Sequence, residues 1–162
     1  MRHTAKTRQT VVCRLVSDVL QLSGTARVCV SGSSMLPSIR PGDILLVQRT
    51  ELNEAAPGDI VLFAREDRLF AHRVISQDFK DGIPCLVTCG DSLDKNDLPV
   101  FANELLGRVT SILRGQSQIS SPLTLPRRAI STFFRRSPFL TRCWLWLLAQ
   151  QRSWTEEAAC SR

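Results

Sequence analysis

With 162 residues, 43% of them hydrophobic and 22% charged, the chain has the make-up of one globular domain able to bury a core without disulfide staples, which excludes a wholly disordered chain. Its net charge of +6 is unevenly placed, since from Arg114 to Arg152 there are seven arginines and no Asp or Glu. That placement directs the positive charge of the tail at a lipid surface or nucleic acid and argues against a uniformly basic enzyme.

Residues 1–9 are polar and basic and read as a loose terminus. Val11, Val12, Leu15, Val16, Val19, Leu20 and Leu22 follow at helical spacing, with Ser23 and Gly24 as a stop, so the segment 1–25 holds one amphipathic helix. Arg14 and Asp18 interrupt its apolar run before a secretory leader can form. The longest apolar stretch elsewhere, "CWLWLLA", falls far short of the roughly 20 residues that span a bilayer. The expected location is therefore the cytoplasm or a membrane surface.

From Ala26 to Leu113 short β-branched runs alternate with turn residues. Strands are expected at 26–31, 43–49, 59–64, 68–77, 84–88 and 105–113, separated by "RPGD", "APGD", "REDR" and "FKDG". The expected fold class is mainly β: residues 26–113 form a compact, partly closed sheet, with the amphipathic helix before it and a helical basic tail after it. "PGDI" occurs twice, at 41–44 and 57–60, and reads as two similar strand entries within one domain.

Residues 114–126, rich in Ser, Gln and Pro, read as a linker. The tail, 127–162, is expected to form two short helices divided at Pro138. Between 127 and 152, Arg127, Arg128, Arg135, Arg136 and Arg142 are interleaved with Phe133, Phe134, Phe139, Trp144 and Trp146. This composition suits a helix lying on an anionic membrane, and it also suits aromatics packed on the β body with arginines in water. Nucleic acid is not expected as a partner, because no recognition fold accompanies the charge.

The six cysteines, at 13, 29, 85, 89, 143 and 160, are too sparse for a disulfide scaffold. Cys85 and Cys89 share one face of an expected strand about 13 Å apart, too far for one zinc or one disulfide. The cysteines read as small buried hydrophobes in a reducing compartment, with no metal and no cofactor expected.

Residues 30–47, "VSGSSMLPSIRPGDILLV", interrupt a strand pattern with serines, a methionine and two prolines and then resume it at Asp43. Gly32 would free the backbone for a substrate and Pro37 would fix the exit, leaving Ser34 at a rigid corner. Alternatively Ser31, Ser33 and Ser34 merely bond their own backbone in a turn. Serine as a nucleophile needs a base and nearby N–H donors. His3 lies in the terminus, so His72 is the base candidate; alternation places it on one face of its strand with Phe70 and Val74, where it could equally be a core histidine. "TCGDSLDKNDLP", residues 88–99, adds Asp91, Asp94 and Asp97. These could orient the imidazole or form a solvated turn; the EF-hand pattern fails for lack of a Glu at its last position.

Together the three segments resemble the serine peptidase superfamily that contains signal peptidase I and the SOS repressors, often called S24/S26. In that superfamily the nucleophile stands just before the Met of an "S-M-x-P…GD" box, matched by Ser34, Met35, Pro37, Gly42 and Asp43. "HRVI" at 72–75 resembles the box of the endoplasmic-reticulum and archaeal signal peptidases, which carry His where bacterial ones carry Lys. The third box is "GD" followed six residues later by an acid, matched by Gly90, Asp91 and Asp97. The resemblance covers roughly residues 28–113. It implies Ser34 as nucleophile, His72 as base and Asp97 as orienting acid, with Asp91 structural and Asp94 the alternative third member. Gly32 stands where signal peptidases often place a Ser, so the oxyanion hole would rest on backbone N–H groups.

The implied function is an endopeptidase that cleaves a precursor peptide after small residues through an acyl-serine. A self-cleaving repressor is the first alternative, against which stand a Lys base in that branch, the short segment ahead of the β body and the lack of an Ala-Gly pair. A non-enzymatic module binding membrane or nucleic acid is the second; retention of Ser34, His72 and Asp97 together argues for the enzyme.

Overall fold

The computed structural model describes the backbone of residues 2–120 and the side chains of residues 9–119. The expectations placed on the tail, including its helices, the interfacial residues 127–152, Cys143 and Cys160, lie outside the described residues.

One helix, α1 (Arg2–Ser23), precedes eight strands: β1 (Thr25–Cys29), β2 (Ile44–Gln48), β3 (Ile60–Arg65), β4 (Arg68–Lys80), β5 (Ile83–Cys89), β6 (Val100–Phe101), β7 (Leu105–Arg114) and β8 (Ser117–Ser120). All pairings are antiparallel, in the order β1-β2-β7-β3-β4-β5-β6. β8 pairs with the end of β7. The fold is mainly β with one N-terminal helix, as expected, and the eight strands form an open antiparallel sheet. Among the described residues no helix is long and apolar enough to cross a membrane.

Alternation along β3 explains why the sheet is buried on both faces. Ile60 and Leu62 enter one core with Leu20, Met35, Ile39, Leu45, Val47, Val109 and Ile112. Val61 and Phe63 enter a second with Ala55, Val74, Leu86 and Val100. α1 closes the first core through Leu20 and the partly buried Val16 and stops at Gly24, whose φ of +72° suits the left-handed cap and whose N–H returns to the Leu20 carbonyl.

Several expectations change in detail. α1 begins at Arg2, not after a loose terminus; residues 2–9 lack an apolar period but contain no Gly or Pro, and Ala5, Lys6 and the arginines favour helix. Its apolar spacing overstates its burial, because Val11, Val12, Leu15, Val19 and Leu22 are exposed. Cys13, Cys85 and Cys89 are buried, but Cys29 is exposed on the outward face of the edge strand β1. β4 runs three residues further than expected, to an Asp81-Gly82 hairpin with φ of +53° and +76°. β8 forms within the segment read as a linker, by continuing the ladder of β7.

The two "PGD" segments fold alike. In each, the glycine takes a positive φ, +92° at Gly42 and +99° at Gly58. In each, the aspartate carboxylate accepts the N–H three residues back, Arg40 for Asp43 and Ala56 for Asp59. Each turn also grips a neighbouring strand by two backbone bonds: Gly42 and Asp43 hold Val30, and Gly58 and Asp59 hold Val74, all at 2.8–2.9 Å. An arginine of β7 meets each carboxylate, Arg114 at Asp43 and Arg108 at Asp59. The repeated tetrapeptide is thus a pair of strand entries flanking β7.

Candidate active site

Ser34 lies in the connection between β1 and β2, and the apolar residues of that connection hold it down. Met35, Leu36 and Ile39 are buried, and Met35 and Ile39 join the first core, while the Leu36–Pro37 peptide is cis. The segment therefore folds back on the body through its hydrophobic residues and leaves its serines outward. Ser31, Gly32 and Ser33 are exposed, and a Cβ on Gly32 would meet nothing within 4 Å, so the space beside it is open.

The Ser34 hydroxyl does not bond its own turn. Its Oγ is 2.9 Å from His72 Nε2, and His72 Nδ1 is 2.7 Å from Asp97 Oδ2. With Nδ1 donating its N–H to the carboxylate, Nε2 is left to accept from the serine. His72 is on β4 opposite Val61, and its buried ring is edge-on to Phe63 and Phe70, each 6.0 Å away. Those two rings stack on each other at 5.5 Å, which leaves the imidazole little rotational freedom.

Asp97 is fixed from both sides. Thr88 Oγ1 donates to Oδ2 at 2.6 Å, and the Asp97 N–H donates to the Thr88 carbonyl. Burial pushes its carboxyl up, but the bonds from His72 and Thr88 and the charges of His72 and Arg65 more than offset this, holding it below the usual carboxylate range. Arg65 also braces the following residues, bonding the Leu98 and Pro99 carbonyls and pairing with Glu104.

The other aspartates separate. Asp91 makes a buried two-point ion pair with Arg73 and accepts from Ser38 Oγ at 2.6 Å. Arg73 also donates to the Gly58 carbonyl. One buried charge pair therefore links the serine segment, the histidine strand and the acidic loop. Asp94 is exposed, and it is Asp97 that His72 bonds. Asp43 is 3% exposed and takes two bonds from Arg114, whose guanidinium is held further toward its charged form by the hydrogen bond to that carboxylate. Among the described residues no group of three His, Cys, Asp or Glu side chains is arranged to hold a metal.

The structure thus brings Ser34, His72 and Asp97 into one chain of hydrogen bonds and sets Met35, Pro37, Asp43 and Asp91 around it as supports. Sequence reasoning missed Ser38, Thr88, Ser92 and Arg73. Arg73 adjoins His72 and Thr88 opens the acidic segment, but only the folded sheet reveals their partners. Chemically, such a chain can pass the serine proton to the imidazole while the carboxylate stabilises the resulting charge. Among the described residues, the N–H groups of Ser34 and Met35 have no hydrogen-bond acceptor.

Comparison with known proteins adds one finding: the sequence pattern of the Peptidase S24-like family matches residues 5–100. That span contains α1 from Ala5 onward, the Ser34 segment, His72 and Asp97. No curated protein matches the chain.

Proposed function

The chain belongs to the Peptidase S24-like family, and from that premise we propose that it is a serine endopeptidase using Ser34 as nucleophile, His72 as general base and Asp97 as orienting acid. The observation that carries this reading is the unbroken contact from Ser34 Oγ through His72 to Asp97. His72 takes the hydroxyl proton as Oγ attacks the scissile carbonyl. Asp97 keeps the ring in the tautomer that leaves Nε2 free to accept and stabilises the imidazolium. The N–H groups of Ser34 and Met35 are the donors for the oxyanion, which dispenses with a hydroxyl at position 32. The protonated imidazole then delivers its proton to the leaving amine, and water hydrolyses the acyl-serine by the reverse sequence.

The substrate is an extended peptide with small residues at the cleavage site, as in the histidine-type signal peptidases that the three boxes resemble. Among the described residues no strand pairs with the outer edge of β1, and the chain leads from that strand to Ser34, so a peptide laid along it would reach the hydroxyl through main-chain hydrogen bonds. Cleavage of a separate precursor is favoured over repressor-type self-cleavage because these residues contain no Ala-Gly pair and offer His72 in place of a lysine. The test is turnover on a peptide library with small residues flanking the scissile bond. Wild-type cleavage should fall by a factor on the order of 10⁶ in Ser34→Ala. Equal turnover by the two proteins, or loss only in Ser33→Ala, would overturn the assignment.

A further inference from the structure

The turn after β5 approaches Ser34 on its backbone side. Ser92 donates twice to the Ser34 carbonyl, from its N–H and from its hydroxyl, each at 2.9 Å. The same hydroxyl is 3.2 Å from the Ser33 carbonyl, which also accepts the Leu36 N–H. The approach is so close at Gly90 that a Cβ there would lie 2.7 Å from the Ser34 oxygen. The far end of the same loop carries Asp97, and the Cys89 thiol bonds the Lys95 carbonyl between them.

These contacts fix directions as well as distances. In a trans peptide the carbonyl and the N–H of the same unit point opposite ways, and among the described residues only Leu36–Pro37 is cis. Holding the Ser33 carbonyl toward Ser92 turns the Ser34 N–H away from it, and holding the Ser34 carbonyl does the same for the Met35 N–H. Ser92, through its hydroxyl and its N–H, therefore contacts both peptide planes flanking the Ser34 Cα, and its hydroxyl is the one group that bonds both carbonyls and so bears on the direction in which Oγ leaves the backbone.

We propose that Ser92 is a positioning residue for the reaction: it aims the two backbone N–H donors at the oxyanion and Ser34 Oγ at His72. This rests on the reading of Ser34 as nucleophile. Ser92 is exposed, so its hydroxyl can be removed or given a methyl neighbour without opening the core.

The test uses the full chain in four forms, wild type, Ser92→Ala, Ser92→Thr and Ser34→Ala, with peptide turnover and the ring 15N shift of His72 Nε2 as readouts. Ser92→Ala should lose about tenfold in kcat with KM within about twofold. Its Nε2 shift should move toward that of Ser34→Ala, and Ser92→Thr should restore both. Gly90→Ala, which must displace the Ser34 carbonyl itself, should lose about a hundredfold. Wild-type kcat in Ser92→Ala, a change in KM alone, or no recovery in Ser92→Thr would overturn the proposal. If wild type and Ser34→Ala cleave alike, the peptidase reading fails, and the Nε2 shift still decides the positioning role: movement in Ser92→Ala supports it and an unchanged shift rejects it.

Discussion

The two Pro-Gly-Asp turns share a backbone but differ in how they are secured. The first grips Val30, four residues before Ser34; the second grips Val74, two residues after His72. Asp43 is buried and takes two bonds from Arg114 at 2.9 and 2.7 Å, whereas the Asp59 side chain is 28% exposed and meets Arg108 through one contact at 3.4 Å. The difference follows from their surroundings. The histidine strand is already locked between β3 and β5, but the serine segment leaves the sheet and has no ladder on either side; its apolar anchors, this turn and the bonds from Ser92 and to Asp91 hold it instead. A side chain carried by a loop needs a stronger clamp than one carried by a strand with neighbours on both sides.

Substitutions at the two turns should separate these contributions. Asp43→Ala should cost the most, about 3 kcal/mol, because it leaves the Arg114 guanidinium and the Arg40 N–H without their carboxylate. A urea midpoint at pH 7 measures this, and peptide turnover should fall with it because the turn that holds Val30 loses the carboxylate bracing it. Next come Gly42→Ala and Gly58→Ala. Both force a side chain into left-handed backbone, so each should cost about 1–2 kcal/mol and the two should agree. Agreement there beside disagreement at the aspartates would show that the turns differ in side-chain support alone. Asp59→Ala should cost about 1 kcal/mol, since its ion pair is solvated and only the cap on Ala56 is lost.

A smaller effect concerns acid. Asp97 has its folded value depressed below the ordinary one, so its contribution to stability is complete above about pH 4 and is lost as pH falls through the lower folded value. In Asp97→Asn that part of the acid dependence should disappear, while the Asp43 and Asp59 variants keep it. Urea midpoints between pH 7 and pH 3 measure the difference.

The recurrence of "PGDI" was legible as two strand entries, and the boxes around Ser34, His72 and Asp97 were legible as chemistry. In both cases turn residues and reactive side chains cluster within a few positions. Their partners were not legible, because Arg114 and Arg108 stand far along the chain from Asp43 and Asp59, and Ser92 reaches Ser34 across the sheet. The period of α1 marked its apolar residues but not which of them find a neighbour, so Val16 and Leu20 pack while Leu15 and Leu22 stay in water. Two-residue β6 and short β8 carry too few residues for an alternation to register, and both exist because a longer strand was there to pair with.

In the proposed mechanism Ser34 Oγ, activated through His72, becomes acylated. Acid-quenching the full chain during turnover of a peptide ester, then mapping the added mass by peptide mass spectrometry, tests it directly. A substoichiometric acyl group should appear on the peptide containing Ser34 and be absent in both Ser34→Ala and His72→Ala. An acyl group on another residue, or one that forms unchanged in His72→Ala, would contradict it.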